Sequence, residues 1–141
     1  MNFSISELIY SDYATIHKIN NMPDITSLDN MLILIVECLQ PLRDKLKKPI
    51  RITSGYRCKT LNSAVGGAVN SEHLTGRAVD MAVSGMTVTQ LFNFIVNSGI
   101  KFTQLIEEHS NGHTWIHISY NKKNLKCEKL KYINGTYKKV S

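Results

Sequence analysis

The chain has 141 residues, of which 43% are hydrophobic and 20% charged; that is enough for one domain with its own core and excludes a disordered or fibrous class. A formal net charge of +6 favours anionic surroundings, for which nucleic acid, anionic lipid and the bacterial cell wall all qualify. No apolar run approaches the ~20 residues of a membrane span, no basic leader with a long apolar stretch opens the chain, and the three cysteines form no C-x-x-C pair and read as free thiols of a reducing compartment.

Ser4 and Glu7 have capping-box spacing and open a short helix to about Tyr10; a loop with Asn20, Asn21 and Pro23 follows. Leu32, Ile35, Val36, Leu39, Leu42 and Leu46 recur at helical spacing. They predict a helix from about Leu28 to Leu46, kinked or restarted at Pro41. "IRITS" (Ile50 to Ser54) alternates as a strand, Ser54-Gly55-Tyr56-Arg57 turns the chain, and residues 60–69 form a short helix running into Gly66 and Gly67. "AVDMAV" (Ala78 to Val83) is a second strand. Thr87-x-x-Gln90 is a second capping box, followed by Val88, Leu91, Phe92 and Ile95 as an amphipathic stripe that Gly99 closes. "FTQLIEE" (Phe102 to Glu108) and "TWIHISY" (Thr114 to Tyr120) are two further strands joined by a polar turn, and Asn134-Gly135 marks a two-residue hairpin. Helices first and strands later predict an α+β domain with an antiparallel sheet flanked by helices. The expectation is a single domain over 1–141 with a basic extension from about residue 121. That lysine-rich tail, interrupted by apolar residues, reads as a solvated face and not as a specific nucleic-acid interface.

Strand parity then selects the chemistry. Side chains alternate between faces, so Ile116 and Ile118 pack the core while Trp115, His117 and Ser119 face a groove. In the same way Val79, Met81 and Val83 share one face and Ala78, Asp80 and Ala82 the other, leaving Asp80 flanked by small residues. His73 lies in the loop before that strand, with Gly76 permitting a tight turn. A carboxylate at a buried strand is costly unless a positive charge meets it. Two imidazoles and one carboxylate, His73, Asp80 and His117, suit Zn²⁺, and three protein ligands with an open fourth position make a catalytic type of site.

The segment "SEHLTGRAVDM" resembles the S-x-H-x-x-G-x-A-x-D signature of the zinc D-Ala-D-Ala carboxypeptidase family, whose fold is shared with the hedgehog signalling domain. "WIHIS" is similar to that family's second zinc-ligand strand, "PIRITSGYRC" to its P-x-x-I-x-S-G-Y-R segment, "LNSAVGGAVNSEH" to its L-N-x-x-V-G-G run, and "QLIEE" to the L-I-x-E strand of its phage and bacterial branch. The resemblance covers about residues 3 to 120. It implies one zinc ion held by His73, Asp80 and His117, and hydrolysis of a peptide bond in peptidoglycan stems. Several branches place an acid three positions before the last zinc histidine, where this chain has Thr114. The L-I-x-E branch places a glutamate at the position of Glu108, which is favoured here over Glu107 as the general base. Arg57, whose planar fork suits a carboxylate, is implied to bind the substrate carboxylate or polarise its carbonyl. Ser71 is expected to orient the metal loop, Tyr56 and Trp115 to line the groove, and His113 and His109 to lie in the turn beside the site.

The reading is therefore a monomeric zinc metallopeptidase acting on peptidoglycan peptides, as a D,D-carboxypeptidase or an endopeptidase. The absent leader and the basic charge resemble a phage endolysin, made in the cytoplasm and acting at the wall. Two alternatives stand beside it. Thr114 favours a non-catalytic zinc-containing module that binds the cell wall or a protein, and the lysine tail favours a nucleic-acid-binding protein.

Overall fold

The computed structural model describes residues 1–140. Helix α1 spans Ile5–Ile9 and is capped as expected, Ser4 Oγ accepting from the Glu7 N–H at 3.2 Å. A second short helix, α2 (Asp12–Ile16), has too few residues for a periodic signal; Ser11 Oγ caps it by accepting from the Ala14 N–H at 3.1 Å. Helix α3 runs from Ile25 to Leu46. It starts earlier than its apolar pattern because Asp24 is the N-cap, accepting from the Ser27 N–H at 2.7 Å. Its middle, Ile35–Leu39, is a π turn leading to Pro41, so the helix passes the residue without an N–H and continues through Gln40–Leu46.

The buried stripe of α3 is Met31, Leu34, Ile35, Cys38, Leu39, Leu42 and Leu46; Leu32 and Val36, expected on it, lie one row over and are exposed. With a mean hydropathy of 1.3 over a membrane-length window, this helix is long and apolar enough to cross a membrane, which no single apolar run in the sequence had suggested. Here its stripe joins the same core cluster as Val79, Met81, Ile116 and Ile118.

The strands are β1 (Arg51–Ser54), β2 (Ala78–Ala82), β3 (Gln104–Ser110), β4 (His113–Ser119), β5 (Glu128–Ile133) and β6 (Thr136–Lys139), in the sheet order β1-β2-β4-β3-β5-β6. Helix α4 (Lys59–Ala64) follows β1, and α5 (Val88–Asn97) follows β2 with both halves of the Thr87/Gln90 capping box formed. Between α4 and β2 lies a 3-10 turn, Glu72–Thr75. One face of the sheet buries Val79, Met81, Leu105, Ile116 and Ile118, as parity predicts. The other face is the floor of a cleft.

The antiparallel expectation needs correction: the sheet is mixed, because β3 pairs with β5 in parallel. The connection after β4 rounds the beginning of β3, where the Cys127 and Glu128 N–H groups donate to the Phe102 and Thr103 carbonyls at 3.0 Å each. Strand β5 therefore starts at the same end as β3 and must run with it. The segment after residue 120, read as a basic extension, supplies two strands of this sheet. The Asn134-Gly135 hairpin forms as predicted, both residues at positive φ. The polar turn expected between β3 and β4 is tighter than its length suggested, because Asn111-Gly112 alone makes it, again both at positive φ.

Candidate active site

His73, Asp80 and His117 are each buried, and each offers a ligand atom within 4.8 Å of the other two. Asp80 and His117 are direct partners in the β2–β4 pairing, with Asp80 Oδ1 3.1 Å from His117 Nδ1. His73 comes from the 3-10 turn. Ser71 Oγ caps that turn by accepting from the His73 N–H at 3.2 Å, and the His73 carbonyl accepts from the Arg57 N–H at 3.0 Å. Gly76 ends the turn at φ +76, and a Cβ there would lie 2.4 Å from the Ser27 carbonyl oxygen, so only glycine fits.

The donor set suits a divalent cation. His73 Nδ1 makes a 2.7 Å hydrogen bond with the Gly55 carbonyl. With Nδ1–H as donor there, Nε2, 3.2 Å from the same Asp80 Oδ1, is the ring nitrogen that would face a bound ion. Burial by itself raises the Asp80 pKa; the two imidazoles outweigh it and hold the carboxyl well below its usual range. Two ring nitrogens thus converge on one buried carboxylate oxygen, an arrangement that a shared cation of the zinc type satisfies.

The cleft above this group has a volume of about 480 Å³, and Glu108, Trp115 and Arg57 line it. Glu108 shares the cleft face of β3 with Gln104 and Ile106, as parity predicts. Its pKa is pushed up to about 7, first by burial and then by the Asp80 carboxylate, against the opposing pull of His117 and Arg57. The Trp115 indole N–H also pulls it down, although Nε1 is buried and no acceptor completes a well-formed hydrogen bond with it. Glu107 is buried and points the opposite way, to Thr89 Oγ1 at 3.0 Å, His109 Nε2 at 2.7 Å and Lys131 Nζ at 3.6 Å, partners that are themselves partly exposed. His109 is thereby committed to Glu107.

Arg57 is held on three sides. Its Nε donates to Ser54 Oγ at 3.2 Å, Nη1 donates to Asn62 Oδ1 at 2.9 Å, and Nη2 lies 3.6 Å from Asp80 Oδ2. The remaining expected residues divide. Trp115 lines the cleft and Ser71 borders it. Tyr56 is buried and lines a neighbouring hollow with Tyr10 and Tyr13, which meets the cleft at Arg57 and Val65. His113 is exposed at the β3–β4 turn, outside the residues lining the cleft.

Three site residues were not singled out from the sequence. Asn62 is buried inside the quoted L-N run and fixes Arg57, its Nδ2 donating to the Ala68 carbonyl at 3.0 Å. Tyr132 and Tyr137 reach the cleft from the C-terminal hairpin. The Asn134-Gly135 turn already made them cross-strand partners; what was missing was the neighbour of β5.

A family model described as peptidase M15 matches residues 1–119. A 76-residue stretch is 37% identical to the zinc D-Ala-D-Ala carboxypeptidase of Streptomyces albus G, covering 53% of this chain and 29% of that protein. The chain thus matches less than a third of that relative's length. Strands β5 and β6 lie beyond the matched family segment.

Proposed function

Since this chain belongs to the peptidase M15 family, we propose that it is a zinc metallopeptidase hydrolysing peptide bonds of peptidoglycan stem peptides. The observation that carries the reading is the convergence of His73, Asp80 and His117 beneath a cleft that also holds Glu108. The similarity to a zinc D-Ala-D-Ala carboxypeptidase supports both the metal and the substrate class.

His73 Nε2, Asp80 and His117 Nδ1 would hold the ion. When bound, zinc supplies the Lewis acidity that polarises a carbonyl and brings a water to nucleophilic strength near neutral pH. Glu108 takes the proton of the attacking water and delivers it to the leaving amine. Burial raises its pKa, which favours its carrying the proton between the two transfers. Arg57, neutralised only in part by Asp80, presents its charge to a substrate carbonyl or carboxylate. Thr114, which stands where other branches carry an acid, is exposed, and Glu108 from the neighbouring strand fills the role.

Zinc analysis of the purified protein, followed by mass spectrometry of digested peptidoglycan, tests the proposal. The expected result is one zinc per chain and released fragments ending at one defined stem-peptide bond, whose position separates a carboxypeptidase from an endopeptidase. A zinc-loaded protein that leaves peptidoglycan intact would favour the binding-module alternative.

A further inference from the structure

Four residues form one cross-strand row on the cleft side of the sheet. Trp115 pairs with Glu108, Glu108 with Tyr132, and Tyr132 with Tyr137, across β4, β3, β5 and the edge strand β6. At a strand spacing of about 4.8 Å, the row carries Tyr132 one step and Tyr137 two steps, roughly 10 Å, away from the acid. Both tyrosines line the cleft, their ring centroids are 4.7 Å apart at an interplanar angle of 56°, and Tyr137 is 59% exposed. On the opposite side the cleft meets the α4–β2 loop and the tethered Arg57. The aromatic row is therefore an open way for a substrate to leave the cleft along the sheet.

We propose that the Tyr132–Tyr137 pair is a carbohydrate subsite that stacks a sugar ring of the glycan to which the scissile peptide is attached; this rests on the proposed peptidoglycan substrate. The π faces of tyrosine carry negative charge and attract the C–H face of a pyranose, while the phenol hydroxyls and the neighbouring Lys139 can serve its hydroxyl groups. An ammonium side chain of the stem peptide would also suit an aromatic pair. Lys139, two residues from Tyr137 on the same face of β6, argues against it by like-charge repulsion, whereas Lys131 and its partner Lys138 lie on the other face, Lys131 against Glu107. A neutral sugar incurs no repulsion there.

The test compares cleavage of one stem peptide with and without its N-acetylglucosamine–N-acetylmuramic acid disaccharide, and measures binding of the free disaccharide by shifts of tyrosine ring signals. The wild type is expected to show a KM about three- to tenfold lower for the disaccharide-bearing substrate, the range for one aromatic stacking contact. Tyr137→Ala should abolish that preference, raising KM for the disaccharide-bearing substrate to that of the peptide alone, and Tyr137→Phe should keep it. Equal losses on both substrates, or no loss on either, would overturn the subsite. So would a lost preference for a free over an acetylated stem ammonium. A wild type that cleaves neither substrate but still binds the disaccharide at these tyrosines refutes the peptidase reading and leaves the subsite standing; absent disaccharide binding refutes the subsite alone.

Discussion

Asp80 and His117 stand directly opposite each other across the β2–β4 pair, with Asp80 Oδ1 and His117 Nδ1 3.1 Å apart. The register that brings them together also places Val79 against Ile118 and Met81 against Ile116, all four fully buried on the other face. A slip of one residue would turn every one of these side chains to the wrong side. The core thus fixes the site: the apolar face holds the pairing that the polar face uses.

Removal of the metal should reveal how much this site depends on it. Chelation of the zinc-loaded protein is expected to lower Tm by about 8 °C relative to zinc at a hundredfold excess over Kd. His117→Ala should bind zinc with a Kd raised well over tenfold, because a ligand is lost. Its Tm gain at the same zinc concentration should fall to less than about half that of the wild type. Calorimetry with elemental analysis checks both.

Glu108→Gln keeps the shape of the side chain and removes the proton acceptor. It should retain full zinc occupancy while kcat falls by about 10²–10⁴-fold. Glu107→Gln, on the other face of β3, should leave kcat within about threefold of wild type and act on stability through the Thr89, His109 and Lys131 contacts. Steady-state kinetics on both variants distinguishes the two neighbours.

Burial of Glu108 also has a signature in stability against pH. Its folded-state pKa, about 7, lies above the ordinary ~4.3 of a glutamate. The fold therefore binds this proton more tightly than the unfolded chain does. The favourable contribution is complete below the ordinary value and is lost as pH rises through about 7. In the metal-free protein, Glu108→Gln should melt above wild type at pH 8, with the difference shrinking toward pH 4. Thermal melts across that range read it directly.

Asn62→Ala releases Arg57 from the 2.9 Å bond to Asn62 Oδ1 and leaves the Ala68 carbonyl without its partner. The expected cost is about 1–3 kcal/mol of stability. KM should rise by about tenfold, with zinc content unchanged. A variant that loses stability but keeps its KM would show that Arg57 needs no such support.

Much of this protein follows from local rules. Ser4 and Thr87 act as caps because a side-chain oxygen a few bonds away meets an orphan N–H whatever else the chain does. The faces of β2, β3 and β4 follow from an alternation that needs no partner, which set Asp80 and His117 opposite their strands' core residues, while Glu108 was favoured over Glu107 through the L-I-x-E resemblance. The signature residues, read with parity, mark the three candidate ligands in the sequence itself.

Tertiary structure decided what depends on neighbours. Whether β5 joins the sheet, and in which direction, depends on where the connection from residue 120 passes the start of β3, and no periodicity in residues 128–133 encodes that path. Tyr132 and Tyr137 reach the cleft only through that placement, and Asn62 holds Arg57 only because α4 packs where it does. Spacing along a chain fixes which way a side chain points. Which other side chain it meets is set by the packing of the whole core.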